Sequence, residues 1–191
     1  MIAGRKIFSG RATRYLAHEI CQHLGVELAR AQVMKFKNDN LFVQIEENVR
    51  EREVFVVQTS CPPVDENLME TLIMIDALKR ASAGRITAVL PYYPYGRSDK
   101  KDQPRVPITA RLVADLLTTA GADRVMTIDL HSPQIQGFFS VPCDHLTATT
   151  LFAQYMRTKG LRSPVAVATD AGAAKRALTF ARALDIPLAI M

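Results

Sequence analysis

Cysteine is scarce. Cys21, Cys61 and Cys143 are the only three in 191 residues and lie far apart. No CxxC pair occurs, which excludes a zinc-binding spacing and a disulfide framework and points to a reducing, cytoplasmic setting. No apolar run approaches the roughly 20 residues of a membrane helix. The opening MIAGRKIFSG has no apolar core of the kind a secretory signal carries. The sequence also lacks a basic tail or an arginine-rich tract, so the net charge of +5, from 24 Lys and Arg against 19 Asp and Glu, favours a small anionic ligand over nucleic acid. Neither GxxxxGK[ST] nor GxGxxG is present, nor is the GxSxG of a nucleophile elbow, which removes three common phosphate, dinucleotide and acyl-transfer motifs.

What remains is an alternation of short apolar runs and longer amphipathic stretches. Ile7-Phe8, Val33–Phe36, Leu41–Ile45, Val54–Gln58, Ile86–Leu90, Val125–Leu130, Val165–Thr169 and Pro187–Ile190 read as strands. Most are almost wholly apolar, as parallel strands covered on both faces are. Helices are expected from about Arg11 to Leu24, from about Asp65 to Ser82 with Asp65 as N-cap, and from near Pro107. In the last of these Ile108, Leu112, Val113, Leu116, Leu117 and Ala120 form an apolar stripe. A further helix is expected from Asp170 to Leu184. The pattern predicts a doubly wound α/β domain over residues 1–146. Leu146 to Ser163 begins as helix and turns at Lys159-Gly160, joining the first domain to a second over residues 147–191. That second domain has only strand, helix, strand, and reads as incomplete.

Ligands of such folds collect beyond the carboxyl ends of the strands. After Ile86–Leu90 comes PYYPYGRSDKKDQPRVP, with Arg97, Lys100, Lys101 and Arg105 interspersed with Asp99 and Asp102, and with prolines that forbid helix. A cationic loop there suits phosphate, Arg offering paired hydrogen bonds and Lys a point charge; the alternative is a solvated charged turn. His131 follows Val125–Leu130 and could meet a metal or a phosphate with Asp129 orienting it, or be structural. Asp170 follows Val165–Thr169 as either an N-cap or a Mg²⁺ ligand, and Gly172 beside it permits close backbone approach. Phe36-Lys37-Asn38-Asp39-Asn40 reads as a hairpin turn whose Phe could stack on a base. His18, His23 and His145 show no metal spacing and read as structural.

Together these segments resemble the ribose-phosphate pyrophosphokinase family. The resemblance is carried by DLHSPQIQGFFSVPCD (129–144), by Asn67 to Lys101 and by Arg105 to Leu117, and it runs from about Phe8 onward. It implies a phosphoribosyltransferase-like, three-layer α/β/α fold with a mainly parallel sheet and two similar domains per subunit, the second truncated here. It implies transfer of the diphosphoryl group of Mg·ATP to the 1-hydroxyl of ribose 5-phosphate, releasing AMP. By resemblance, Phe36, Asn38, Asp39 and Asn40 lie in the adenine-binding turn contributed by a neighbouring subunit. Arg97, Ser98, Asp99 and Lys100 lie in the ATP loop, and His131 contacts ATP and Mg²⁺, the latter together with Asp170. The implied partners are ATP, ribose 5-phosphate and further copies of the chain, in dimers and usually hexamers, with no nucleic acid and no membrane.

Departures accompany the resemblance. The family's usual Phe-Ser-Asp-Gly-Glu is here Phe36-Lys37-Asn38-Asp39-Asn40, so two carboxylates have become amides, which donate as well as accept. Ser98 stands for a Gln, and Cys143 for an aliphatic residue. The family's basic catalytic loop and its ribose-phosphate loop do not occur in these residues. No catalytic residue is therefore assigned, and little or no turnover is expected of the chain alone. The alternative expectation is a non-catalytic homologue that assembles with full-length subunits as a regulator or scaffold.

Overall fold

The computed structural model describes residues 4–191. Contacts divide it after Leu146 into two compact units.

In the first unit the apolar runs become β1 (Lys6–Ser9), β4 (Glu53–Val57), β5 (Arg85–Leu90) and β6 (Arg124–Ile128), joined by an unforeseen β7 (Cys143–Leu146). They form one parallel sheet in the order β1-β4-β5-β6-β7. Side chains alternate across it. Phe8, Val54, Val56, Ile86, Ala88, Leu90 and Val125 face a core completed by Met74, Ile75 and Leu78 of α2 (Val64–Arg80) and by Val113 and Leu117 of α3 (Thr109–Ala120). Ile7 and Val57 face a smaller cluster with Ala17 and Cys21 of α1 (Arg14–Leu24). The strands follow one another in a single direction across the sheet, and α2 and α3 pack into the same core while α1 packs against the other cluster. The antiparallel hairpin of β2 (Ala31–Lys35) and β3 (Leu41–Ile45) pairs Lys35 with Leu41 at its tip.

Several local expectations are corrected. Arg11–Thr13 is a 3-10 turn ahead of α1. The N-cap of α2 is Pro63, with Asp65 inside the first turn. Pro107 lies outside α3, whose N-cap is Ile108. The buried positions of α3 are Ala110, Val113, Ala114 and Leu117, while Leu112 and Leu116 stay exposed on its flank. β7 escaped notice because CDHL has no β-branched residue and is only half-buried at the sheet edge. It is held in register by its neighbour and by the Arg124–Asp144 ion pair.

The second unit contains α4 (Thr149–Arg157), β8 (Ala166–Ala168), a 3-10 turn at Ala171–Ala173, α5 (Ala174–Leu184) and β9 (Leu188–Ile190), with β8 and β9 parallel. Its buried apolar side chains are all alanines, Ala153, Ala166, Ala168 and Ala181, while Val167 and Ile190 stay exposed. Among the described residues no helix is long and apolar enough to cross a membrane.

Candidate nucleotide site at the carboxyl edge of the sheet

The parallel sheet brings the loops after β1, β4, β5 and β6 to one edge. The loop after β5 is shaped rather than loose. Tyr93 is buried beneath it, its hydroxyl donating to the Ala110 carbonyl at 2.8 Å and its ring edge-on to Phe139 at 5.5 Å. Burial pushes the Tyr93 phenol well above its ordinary range. Ser98 closes the loop onto α3: its carbonyl accepts from Ala110 N at 3.1 Å and its Oγ from Thr109 N at 3.3 Å, satisfying donors that the helix start leaves open. Arg97, Ser98, Lys100 and Asp102 then line a groove of about 340 Å³ with Val106 and Pro107. Asp99 is half-buried in the same loop. Among the described residues Arg97, Lys100, Lys101 and Arg105 form no ion pair, so four exposed cations are left unpaired, with Asp102 in the same groove.

His131 lies beside this loop. A Cβ built at Gly96 would sit 3.7 Å from the His131 Cβ and 3.6 Å from the Tyr93 carbonyl, ordinary contact distances that place the two segments side by side. The backbone leading to His131 is fixed by β7: Asp129 N donates to Leu146 O at 2.9 Å, and Leu130 N donates to His145 Nε2 at 2.9 Å. His145, which the sequence marks only as structural, thereby sets the course of the chain into His131. Asp129 adopts φ 47°, the left-handed bend that turns the strand end outward.

Asp170 belongs to the second unit. Its Oδ1 accepts from Ala173 N at 2.8 Å, the N-cap alternative, and a Cβ on Gly172 would lie 3.1 Å from that oxygen. Among the described residues no group of three or more His, Cys, Asp or Glu side chains is arranged to hold a metal ion. His131 and Asp170 are thus isolated donors. That fits a hard cation which arrives on a phosphate chain and keeps most of its ligands as phosphate oxygen and water.

Phe36–Asn40 is the tip of the β2–β3 hairpin, closed by Phe36 N to Asn40 O at 2.9 Å and Asp39 N to Phe36 O at 3.0 Å. Asn38 accepts from Asn40 N through its Oδ1 at 3.3 Å, and Asp39 takes φ 65°. Phe36 is 48% exposed, its ring tilted against Phe42 at 5.5 Å, leaving an aromatic face open at the tip.

The sequence did not single out the buried polar network beneath these segments. Glu70 is fully buried and accepts from Arg11 N at 2.6 Å, Arg11 Nε at 2.7 Å and Gln58 Nε2 at 3.2 Å. The Gln58 Oε1 accepts from Thr13 Oγ1 at 2.9 Å, and Asn67 Nδ2 donates to the Cys61 carbonyl at 2.6 Å. The hydrogen bond to Glu70, and secondarily to Glu66, raises the Arg11 pKa. The available signal was SGR directly after a strand, opposite three acids spaced within one helical turn and a half.

The comparisons with known proteins point one way. The model of the N-terminal domain of ribose phosphate pyrophosphokinase matches residues 5–121. A ribose-phosphate pyrophosphokinase of Deinococcus radiodurans is 54% identical over 97% of this chain and 58% of its own length. That of Fusobacterium nucleatum is 50% identical over 97% of this chain and 60% of its own. The crystal structure of phosphoribosylpyrophosphate synthetase from Mycobacterium smegmatis superposes with a TM-score of 0.94 at 46% identity, covering 98% of this chain and 63% of that one. The chain therefore spans about three fifths of the relatives it matches. With the parallel sheet, the cationic loop and these matches in hand, the chain belongs to the ribose-phosphate pyrophosphokinase family.

Proposed function

We propose that the chain provides the Mg·ATP-binding part of a ribose-phosphate pyrophosphokinase. That enzyme transfers diphosphate from ATP to the 1-hydroxyl of ribose 5-phosphate, giving phosphoribosyl pyrophosphate and AMP. The single observation that carries the reading is the groove after β5, where Arg97 and Lys100 face solvent unpaired and His131 lies beside Gly96.

In this reading Arg97 and Lys100 hold the phosphate chain, the guanidinium by paired hydrogen bonds and the ammonium as a point charge. Ser98 keeps the loop closed on α3 and offers its hydroxyl to the nucleotide. Asp99 balances charge beside the loop. Phe36 stacks on the base, and Asn38, Asp39 and Asn40 bond its edge; the amides supply donors where carboxylates only accept. By resemblance, His131 and Asp170 are the residues that would hold Mg²⁺, which would supply charge neutralisation for the phosphates. Diphosphoryl transfer depends mainly on positioning and charge stabilisation. These residues supply the positioning of the donor. The family's acceptor-phosphate loop and its basic catalytic loop have no counterpart among these residues. Copies of the chain assemble, as dimers or hexamers, in the cytoplasm.

Titration calorimetry with Mg·ATP tests the reading. Binding is expected, weakened about tenfold or more in Arg97→Ala, as loss of a charge-assisted contact worth roughly 1.5–3 kcal/mol implies. No heat with Mg·ATP refutes it. Robust AMP release that depends on ribose 5-phosphate refutes the expectation of low turnover. Co-purification with a complete synthetase whose effector response then changes would favour the regulatory alternative.

A further inference from the structure

The first turn of α2 is an unusual meeting point. Asp65, Glu66 and Asn67 of that turn, with Glu70 one turn further on, together reach the β5 loop, the β2–β3 hairpin, the segment after β4 and Arg11 after β1. Asp65 accepts from the Tyr95 hydroxyl in the β5 loop. Glu66 accepts from Lys35 Nζ at 2.7 Å, at the base of the hairpin tip, and also from the Arg11 guanidinium. Asn67 holds the Cys61 carbonyl after β4. Glu70, fully buried, holds Arg11 through backbone and guanidinium, and Gln58.

The placement has a physical basis. Carboxylates are favoured in the first turn of a helix, where open N–H groups and the helix dipole present positive charge. Residues 66 and 70 lie one turn apart on one helix face, so a single guanidinium spans both. Glu70 has no water to solvate it and depends on its three donors, which makes the Arg11 end rigid. Lys35 extends the chain of charges to the hairpin tip, its Nζ also standing 3.8 Å from Asp39. Tyr95 sits two residues from Arg97 and adopts φ 55°, a left-handed backbone that its hydroxyl contact with Asp65 helps to hold. The hydrogen bond to Asp65 raises the Tyr95 phenol pKa, and the hydrogen bond to Glu66 raises that of Lys35.

We propose that the first turn of α2 is a positioning hub for the two nucleotide-binding segments, Glu66 setting the hairpin tip through Lys35 and Asp65 setting the phosphate loop through Tyr95. The inference rests on the nucleotide reading above. Neither carboxylate touches the nucleotide; each acts through the residue it holds.

The test uses the 191-residue chain, Glu66→Gln and Tyr95→Phe, with two readouts. Amide hydrogen exchange reports order, and fluorescence titration with N-methylanthraniloyl-ATP and Mg²⁺ reports affinity. In Glu66→Gln the amides of Phe36, Asp39 and Asn40 should exchange about two- to fivefold faster while those of residues 95–98 do not change. In Tyr95→Phe the selectivity should reverse, since a hydrogen bond of about 1 kcal/mol is lost at the other segment. Each variant should bind the nucleotide about two- to fivefold more weakly. A general loss of stability would speed both segments together, and that result overturns the hub. So does unchanged exchange in both variants, or selective exchange with unchanged affinity. If wild type does not bind the nucleotide at all, the nucleotide reading fails and the hub's role in it fails with it; exchange then still separates an ordering turn from an inert one. Should Glu66→Gln not fold, Lys35→Gln breaks the same bond from the hairpin side and must give the same pattern.

Discussion

Gly10 offers a sharp probe of the buried network under the site. It follows β1 with φ −73° and ψ 172°, extended backbone that alanine adopts freely, so no backbone strain attends Gly10→Ala. Space is the difficulty. The added Cβ would lie 2.2 Å from Gln58 Cδ, 2.3 Å from its Oε1 and 2.5 Å from its Nε2. The Gln58 amide must move, yet it is fully buried and bonded to both Glu70 and Thr13. Overpacking costs about 1–3 kcal/mol, and leaving buried polar groups without partners costs about 1–3 kcal/mol more. Reduced freedom of the unfolded chain returns about 0.4–1 kcal/mol. The net expectation is a loss of about 2–4 kcal/mol. With an m-value of about 2 kcal/mol/M, the urea midpoint followed by far-ultraviolet circular dichroism falls by about 1–2 M. The decisive control is the Gln58→Ala background. There the obstructing amide is gone, and alanine at 10 should cost less than about 0.5 kcal/mol, leaving a large coupling energy between the two positions. Equal losses in both backgrounds, or a loss below about 0.5 kcal/mol in the single variant, would refute the steric account.

Other expectations follow from single contacts. Tyr93→Phe removes the hydroxyl that donates to Ala110 and should cost about 1 kcal/mol by urea titration. Because the folded Tyr93 phenol titrates above its unfolded value of about 10, its contribution is complete below that pH and is lost as pH rises through the folded value; Tyr93→Phe should flatten the alkaline fall in stability. Thiol labelling at pH 8 should modify exposed Cys61 first. Burial raises the Cys21 thiol, and burial with the nearby Asp144 pushes Cys143 to about 11, so both should label slowly until the chain unfolds. Hydrogen bonding to Lys6, helped by Arg30 N, lowers the Glu47 pKa, and bonding to Lys35 and Arg11 lowers that of Glu66. Their contributions are complete above the unfolded value of about 4.3 and fade as pH falls through the folded values. Glu47→Gln should lower stability near neutral pH and flatten its acid fall, the two proteins converging as pH drops through the folded Glu47 value; an acid limb of unchanged slope would rule this linkage out.

The sequence by itself determined the elements whose signals are local. Apolar runs such as Ile86–Leu90 and Val125–Leu130 read as strands of a parallel sheet covered on both faces. The prolines from Pro91 to Pro107 forbid helix there, so the cationic residues Arg97 to Arg105 had to form a loop at a strand's end. That much of the candidate site was legible before any coordinates, as was the exposed aromatic at the hairpin tip. The tertiary structure alone decided what depends on partners distant in sequence. CDHL becomes β7 because β6 offers an edge, not because its residues favour strand. Leu112 and Leu116 stay exposed while Ala110 and Ala114 are buried, a choice of helix face made by packing rather than by side-chain size. His145 acquires a task only when the fold brings it to Leu130 N, 15 residues away in sequence. Glu66 reads as an ordinary first-turn acid, and Glu70 as a helix acid one turn further on, until β1 and the hairpin deliver Arg11 and Lys35 to them. A side chain's periodicity is written in its neighbours along the chain, whereas its hydrogen-bond partner is set by how sheet and helix pack.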